Sequence, residues 1–353
     1  MPSDRTSRAI SVTSEPSVAN RIAGAFHAPY KTLLTVLLFV AALSRSATAA
    51  DPLPSWNDGP AKAAIIQFVD RVTREGSSDF VLPLERIATF DNDGTLWCEQ
   101  PNYVQVVFAV ERLKALAPQH PQWRDEEPYA AMLKANPELP LTGGLKAFEK
   151  LLMATHAGMS TADFERIVTD WLATARHPRF RRPYTACIYQ PMVEVLTYFR
   201  AHGFKTFIVS GGGVEFMRPW TQQAYGIPSE QVVGSTIKTE FKLVDGQPVL
   251  MRLPDIDFID DGPGKPVGIG KFIGRRPIAA FGNSDHDMPM LQWTTITDGP
   301  RLGMLVHHTD AQREYAYDRQ SHVGQLDKGL DQAAPRGWTL IDMRRDWRVI
   351  FPE

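Results

Sequence analysis

Ile87-Ala88-Thr89-Phe90-Asp91-Asn92-Asp93-Gly94-Thr95-Leu96-Trp97 is the stretch on which the reading of this chain turns. Ile87 to Phe90 form a short apolar and β-branched run, which predicts a buried strand. Two carboxylates, Asp91 and Asp93, stand where that strand ends. Like charges repel and are costly to desolvate, so a fold gains little from placing them there. A divalent cation and a phosphate ester account for both, which points to phosphoryl transfer through a covalent aspartyl intermediate. Gly94 supplies the freedom that a tight turn after the strand needs.

The pattern repeats twice downstream. Lys205 to Val209 predict a second strand, which ends at Ser210-Gly211-Gly212-Gly213. Pro277 to Phe281 predict a third, which ends at Gly282-Asn283-Ser284-Asp285-His286-Asp287. Lys265 lies between them, after Asp260-Asp261-Gly262, with Lys271 as its rival six residues on. In open α/β sheets ligands bind beyond the carboxyl ends of strands, where all three polar motifs fall. Helical periodicity covers 61–73, 103–116, 145–152, 161–173 and 192–201, so the region between the first two strands is mostly helical. Asp245-Gly246 between two β-rich runs predicts a hairpin at 232–260. Residues 50–60, rich in Pro, Gly and Asp, read as an N-terminal arm.

These motifs, in this order and each at a strand end, resemble the haloacid dehalogenase-like superfamily of hydrolases, strongest over 87–97, 205–213 and 262–291. The resemblance implies an α/β fold: a Rossmann-like three-layer core, 50–97 and 184–353, with an inserted mainly helical cap, 98–183, similar to the phosphoserine-phosphatase-like branch. It implies Asp91 as nucleophile and Asp93 as general acid and then base. Ser210 and the Gly211 amide would hold the phosphoryl group, and Lys265 would neutralise it. Mg2+ would be held by Asp91, the Asp93 carbonyl, Asn283 and Asp287. The family commonly has Asp where this chain has Asn283, a weaker ligand for magnesium. Asp287 would bind the metal or orient a ligand and Lys265, and Asp285 is a substitute ligand. Haloacid dehalogenases lack the second aspartate, so Asp93 selects phosphate over halide.

Substrate choice falls to the insert. Glu99 and Gln100 follow the nucleophile closely and are candidates to face the cleft. Arg176 opens the basic run Arg176-His177-Pro178-Arg179-Phe180-Arg181-Arg182, which suits a second acidic group on the substrate or a solvated surface. Trp97, Trp171 and Trp220 read as packing, and the His307-His308 pair as strand or loop. The expected activity is Mg2+-dependent hydrolysis of a small phosphate monoester. A phosphotransferase using the same intermediate, and a non-catalytic phosphate- or metabolite-binding protein, are the alternatives.

The 353 residues carry a net charge of -2, without the basic excess of a nucleic-acid binder. No apolar run is long enough for a membrane span. Leu33 to Leu43 follow Lys31 and precede Ala47-Thr48-Ala49, the pattern of a secretory signal in residues 1–49, cut near Ala49. The mature chain would be secreted or periplasmic. There the two cysteines, Cys98 and Cys187, suit either a disulfide or two small buried hydrophobes.

Overall fold

The computed structural model describes residues 50–136 and 144–353. The secretory signal expected in residues 1–49 lies outside the described residues. Residues Asp51–Glu353 form one compact unit. Its helices and strands alternate along the chain. Helix α1 is Pro60–Thr73 and strand β1 is Ile87–Phe90. Then come α2 (Val104–Leu116), α3 (Tyr129–Lys134), α4 (Gly144–His156), α5 (Thr161–Thr174) and α6 (Gln190–Ala201). Strand β2 (Lys205–Gly213), α7 (Val214–Tyr225), and strands β3 (Val232–Val244) and β4 (Gln247–Phe258) follow. The remainder is α8 (Gly264–Gly268), β5 (Ala279–Gly282), α9 (Met288–Thr295), β6 (Leu302–Thr309), β7 (Ala316–Tyr317), α10 (Lys328–Ala333) and β8 (Thr339–Asp342).

The strands join in the order β4-β3-β2-β1-β5-β6-β7, with β8 also on β6. The pairs β3-β2, β2-β1, β1-β5, β5-β6 and β6-β8 are parallel. A parallel sheet must be covered on both faces, and side-chain alternation shows how. Ala88, Phe90, Ile208, Ala279, Phe281 and Met304 point to one side and share a core with α1 and α6. Val209, Ala280 and Leu305 point to the other, with Ile269, Leu291 and Ala333. The result is a three-layer α/β core. All four β1 residues are buried, which is why Asp91 emerges from the middle of the sheet.

The helical insert between β1 and β2 has its own apolar core, including Val110, Leu113, Trp123, Met132 and Leu151. Asp245 and Gly246, both at positive φ, turn β3 into β4. This ribbon does not stand apart from the insert. The Arg252 amide donates to Met159 O at 2.9 Å and the Gly158 amide to Arg252 O at 2.9 Å. Helices α4 and α5 also contact β4. Insert and ribbon together roof the carboxyl ends of the strands.

The arm expected at 50–60 is instead partly core. Leu53 is fully buried, and Trp56 meets Trp347 edge-on with ring centroids 5.9 Å apart. The Trp56 indole donates to Pro191 O at 2.9 Å. Its polar composition hid two apolar anchors, whose partners lie far along the chain. Truncating a buried Trp typically costs about 3–5 kcal/mol. Trp56→Ala in the full chain is therefore expected to lower unfolding stability by that order in urea titration. A loss below about 1 kcal/mol would make the segment a surface strap.

Candidate active site

Phe90 pairs with Ile208 on one side and Phe281 on the other, so three polar motifs meet at one edge. The Asp91 amide donates to Phe281 O at 2.9 Å, carrying the ladder one residue beyond the strand. The Asn92 carbonyl then accepts from the Leu96 amide at 2.8 Å, which curls the chain back. Gly94 sits at φ 72°, in the left-handed region. A Cβ there would lie 2.1 Å from Asn283 Nδ2 and 2.3 Å from Glu99 Oε1. Conformation and space both require glycine at this turn.

Lys265 is buried between two carboxylates. Its Nζ lies 2.8 Å from Asp91 Oδ1 and 2.5 Å from Asp287 Oδ1. The Asp91 contact is an ion pair of poor alignment, leaving Oδ1 without a proper hydrogen bond. Burial works against the ammonium charge, but Asp287 and Asp91 outweigh it and hold Lys265 above its ordinary range. Lys271 is exposed and lies over the Phe258 and Phe272 rings, outside the site.

Asp287 orients its neighbours. Oδ2 accepts from the Asn283 amide at 2.9 Å, the Ser284 amide at 3.0 Å and the Ser284 hydroxyl at 3.1 Å. With Oδ1 on Lys265, both oxygens are engaged within the protein, so its geometry favours the orienting role over direct metal binding. Asp285 turns away and accepts from the Asp327, Lys328 and Gly329 amides, capping α10. Asn283 accepts from the Thr95 hydroxyl at 3.0 Å and donates to Glu99 Oε1 at 2.6 Å.

Glu99, a candidate to face the cleft, does line the cavity described below, and its contacts give it a further task. Its carboxyl is buried and also accepts from Tyr317 OH at 2.8 Å. Burial, then Asp93, push its acidity well above the carboxylate range, against the Tyr317 bond. Glu99 also holds Asn283. Arg176 departs from expectation. It is exposed, bonded to the carbonyls of Ala173 and Ala175, and lines neither cavity described below. The neighbouring Arg179 and Arg182 are likewise tied to backbone carbonyls of Ala311 and Pro352. Gln100 donates to Val323 O.

Strand β2 runs through Gly213, past its expected end at Val209. Its pairing with β3 slips between Ser210 and Gly213, a bulge that re-aims the backbone at the strand end. Ser210 is buried, and its Oγ accepts from the Gly212 amide at 3.2 Å. The Gly213 amide donates to Gln105 Oε1 at 2.7 Å, and Gln105 Nε2 contacts His156 Nε2 at 3.1 Å. Gln105 thus ties the insert to the phosphate-loop strand. A helical stripe reading passes over it, because it marks apolar positions only.

Two more residues were missed. Trp97, read as packing, does stack on Trp220, but its indole also donates to Asp93 Oδ1 at 2.8 Å. His308 contacts the Gly94 carbonyl at 2.8 Å through Nε2 and Glu314 at 3.3 Å through Nδ1, bracing the turn from behind. His307 instead faces Asp318 at 3.3 Å, so the two histidines do not act together. Cys98 and Cys187 are neighbours, with the Cys98 amide on Cys187 O at 3.1 Å, and both are free, buried thiols.

Asp91, Asp93, Glu99, Ser210, Gly211 and Lys265 line one cavity of about 340 Å3, with His286 and His322. Its acids far outnumber its lysine. Burial, with Asp287 adding, raises Asp91 to about 7, against Lys265. Burial raises Asp93 to about 6, opposed by the Trp97 bond. Asp260 lies fully buried nearby with neither oxygen hydrogen-bonded, and burial lifts it to about 8. Among the described residues no three His, Cys, Asp or Glu side chains form a metal cage. Magnesium does not need one: it is usually held by one or two carboxylates, waters and substrate phosphate. Crowded carboxylates around a single lysine suit such a cation.

A family model for haloacid dehalogenase-like hydrolases matches residues 88–292, which spans β1 through α9. The chain belongs to that family. Enzymes of this family generally use Mg2+. No curated protein matches the chain. Solved structures similar to it include a protein of unknown function from Anaerococcus prevotii, 16% identical, with 71% of this chain and 86% of that one covered and a TM-score of 0.49. Another, of unknown function, comes from Bordetella pertussis (17% identity, 73% and 99% covered, TM-score 0.44). A third is a phosphoserine phosphohydrolase-like protein from Francisella tularensis (16% identity, 63% and 87% covered, TM-score 0.34).

The raised pKa of Asp91 has a sign in stability. A carboxyl whose folded value lies above its unfolded value of 3.8 destabilises the fold increasingly from about pH 4 to about 7. In chelator, Asp91→Asn is thus expected to raise the thermal midpoint, more at pH 8 than at pH 5. A midpoint lowered at pH 8 would show that the Lys265 pairing outweighs the burial of charge.

Proposed function

We propose that the protein is a magnesium-dependent phosphomonoesterase acting on small substrates through an aspartyl phosphate on Asp91. One observation carries the reading: Asp91 is the buried carboxylate beside Lys265, and Asp93 follows at the same cavity. Asp91 attacks phosphorus, and the leaving alcohol oxygen takes a proton from Asp93. Water then attacks the aspartyl phosphate and gives its proton back to Asp93, which releases phosphate and restores Asp91. Lys265 offsets charge on the phosphoryl oxygens, and Ser210 with the Gly211 amide donates to them. A bound Mg2+ would supply the positive charge that lets a phosphate dianion approach a carboxylate. Asp91, the Asp93 carbonyl and Asn283 would hold it. Glu99, bonded to Asn283, supports this reading by fixing the orientation of the asparagine that would hold the ion.

The full chain is expected to hydrolyse simple phosphate monoesters with Mg2+ and to lose that activity with Asp91→Asn. Turnover of haloacids without metal, or of nothing at all, would sink the proposal. Asp93 has an acidity of about 6, so it carries the donated proton below that pH and loses it above. Where a bound Mg2+ keeps Asp91 ionised, the kcat/KM for an alkyl phosphate should fall as pH rises past 6. Asp93→Asn should cost about 10^2–10^4-fold on alkyl esters. It should cost much less on p-nitrophenyl phosphate, whose leaving group needs no proton. Equal losses on both would remove the acid role.

We also propose that the enzyme is exported. The apolar run Leu33 to Leu43 and the Ala47-Thr48-Ala49 pattern support this. N-terminal sequencing of the protein from its native cell should begin near Ala50, and a start within the first ten residues would overturn it.

A further inference from the structure

A second cavity of about 200 Å3 adjoins the catalytic one, and both are lined by Gln105, Phe148, Gly211 and Asp261. Its walls come from the insert (Leu152, Phe164), the β3-β4 ribbon (Ile237, Ile256, Phe258) and α7 (Phe216). Its charges are largely neutralised within the protein. Arg252 is buried, paired with Glu215, donates from Nε to His156 O at 2.6 Å, and lies 4.0 Å over the Phe164 ring. Asp261 is bonded to His286 at 2.7 Å. His156 is buried, and burial together with Arg252 holds it well below its ordinary range, so it adds no positive charge. Glu149, half-buried, adds a negative one. Arg252 is the one cation among the described residues of this lining, and Glu149, Glu215 and Asp261 outnumber it, which disfavours a carboxylate or a second phosphate.

We infer that this cavity is the leaving-group subsite, and that it takes an uncharged apolar group: the ring or short branched chain of an aromatic or alkyl alcohol. The inference rests on the phosphomonoesterase reading for its orientation, since the phosphoryl end belongs beside Lys265. The size agrees, because an apolar cavity of about 150 Å3 holds benzene. The lining residues shared by the two cavities place the ester oxygen at Gly211 and Gln105. Ribbon and insert meet around the group, so the cap supplies shape and the core supplies the chemistry.

Phosphonates resist hydrolysis and therefore read the subsite apart from catalysis. With the full chain and Mg2+, benzylphosphonate should bind at least about 10-fold tighter than methylphosphonate, since even one methylene in an apolar pocket is worth about that much. Ile237→Trp, which fills the cavity from the ribbon, should bring the ratio close to one and leave methylphosphonate binding unchanged. Leu152→Trp should do the same from the insert. A wild-type ratio near one overturns the subsite, as does tighter binding of the zwitterionic 2-amino-3-phosphonopropionate than of benzylphosphonate. Discrimination between the phosphonates without hydrolysis of benzyl phosphate keeps the subsite and removes the catalytic reading alone.

Discussion

The site depends on one buried ammonium. Lys265 stands between Asp91 and Asp287 with almost no exposure to water. Desolvating a charge costs more than most contacts return. The surroundings therefore have to be complete. Asp287 is held by three donors from the Asn283-Ser284 turn, Asp91 by the edge of the central strand, and Lys265 by the short helix that bears it. A phosphate entering beside Lys265 meets a charge already fixed in place, which is what electrostatic preorganisation requires.

A second layer keeps the nucleophile loop in shape. His308 and Glu314 brace the Gly94 carbonyl from one side, and Asn283 with Glu99 presses on the same glycine from the other. Trp97 fixes one oxygen of Asp93. These residues lie up to about two hundred positions apart along the chain and meet only because parallel strands end together. The asparagine where the family more often has aspartate is then less of a departure. Its amide donates to a buried glutamate, which fixes the side chain in place.

The roof shows a similar division of labour. The insert has its own core, yet its α4-α5 connection is hydrogen-bonded to the ribbon that leaves the far side of the sheet. Two segments from different parts of the chain close over the same strand ends. Gln105 links that roof to the glycine bulge after Ser210. Gln105 thus bridges the insert and the strand end after Ser210, two parts that line the same cavity.

Local chemistry made much of this legible in the sequence. The apolar run before Asp91, the glycine after Asp93, the β-rich run before Ser210 and the Asp245-Gly246 turn each act over a few residues, so spacing alone revealed them. Three helices of the insert, α2, α4 and α5, were legible because 3.6-residue periodicity needs no partner to be seen, whereas the six residues of α3 are too few to show it. Leu53 and Trp56 were not, since a polar stretch conceals two anchors whose pockets are built by Pro191 and Trp347. The direction of Arg176 was not legible either, because proximity in sequence does not say which way a side chain turns. By itself the sequence determined the strand-end motifs and the order in which they arrive. Only the tertiary structure decided which carboxylates share Lys265, what Glu99 supports and what encloses the second cavity. Those are contacts between side chains brought together by the sheet, and no local pattern encodes them.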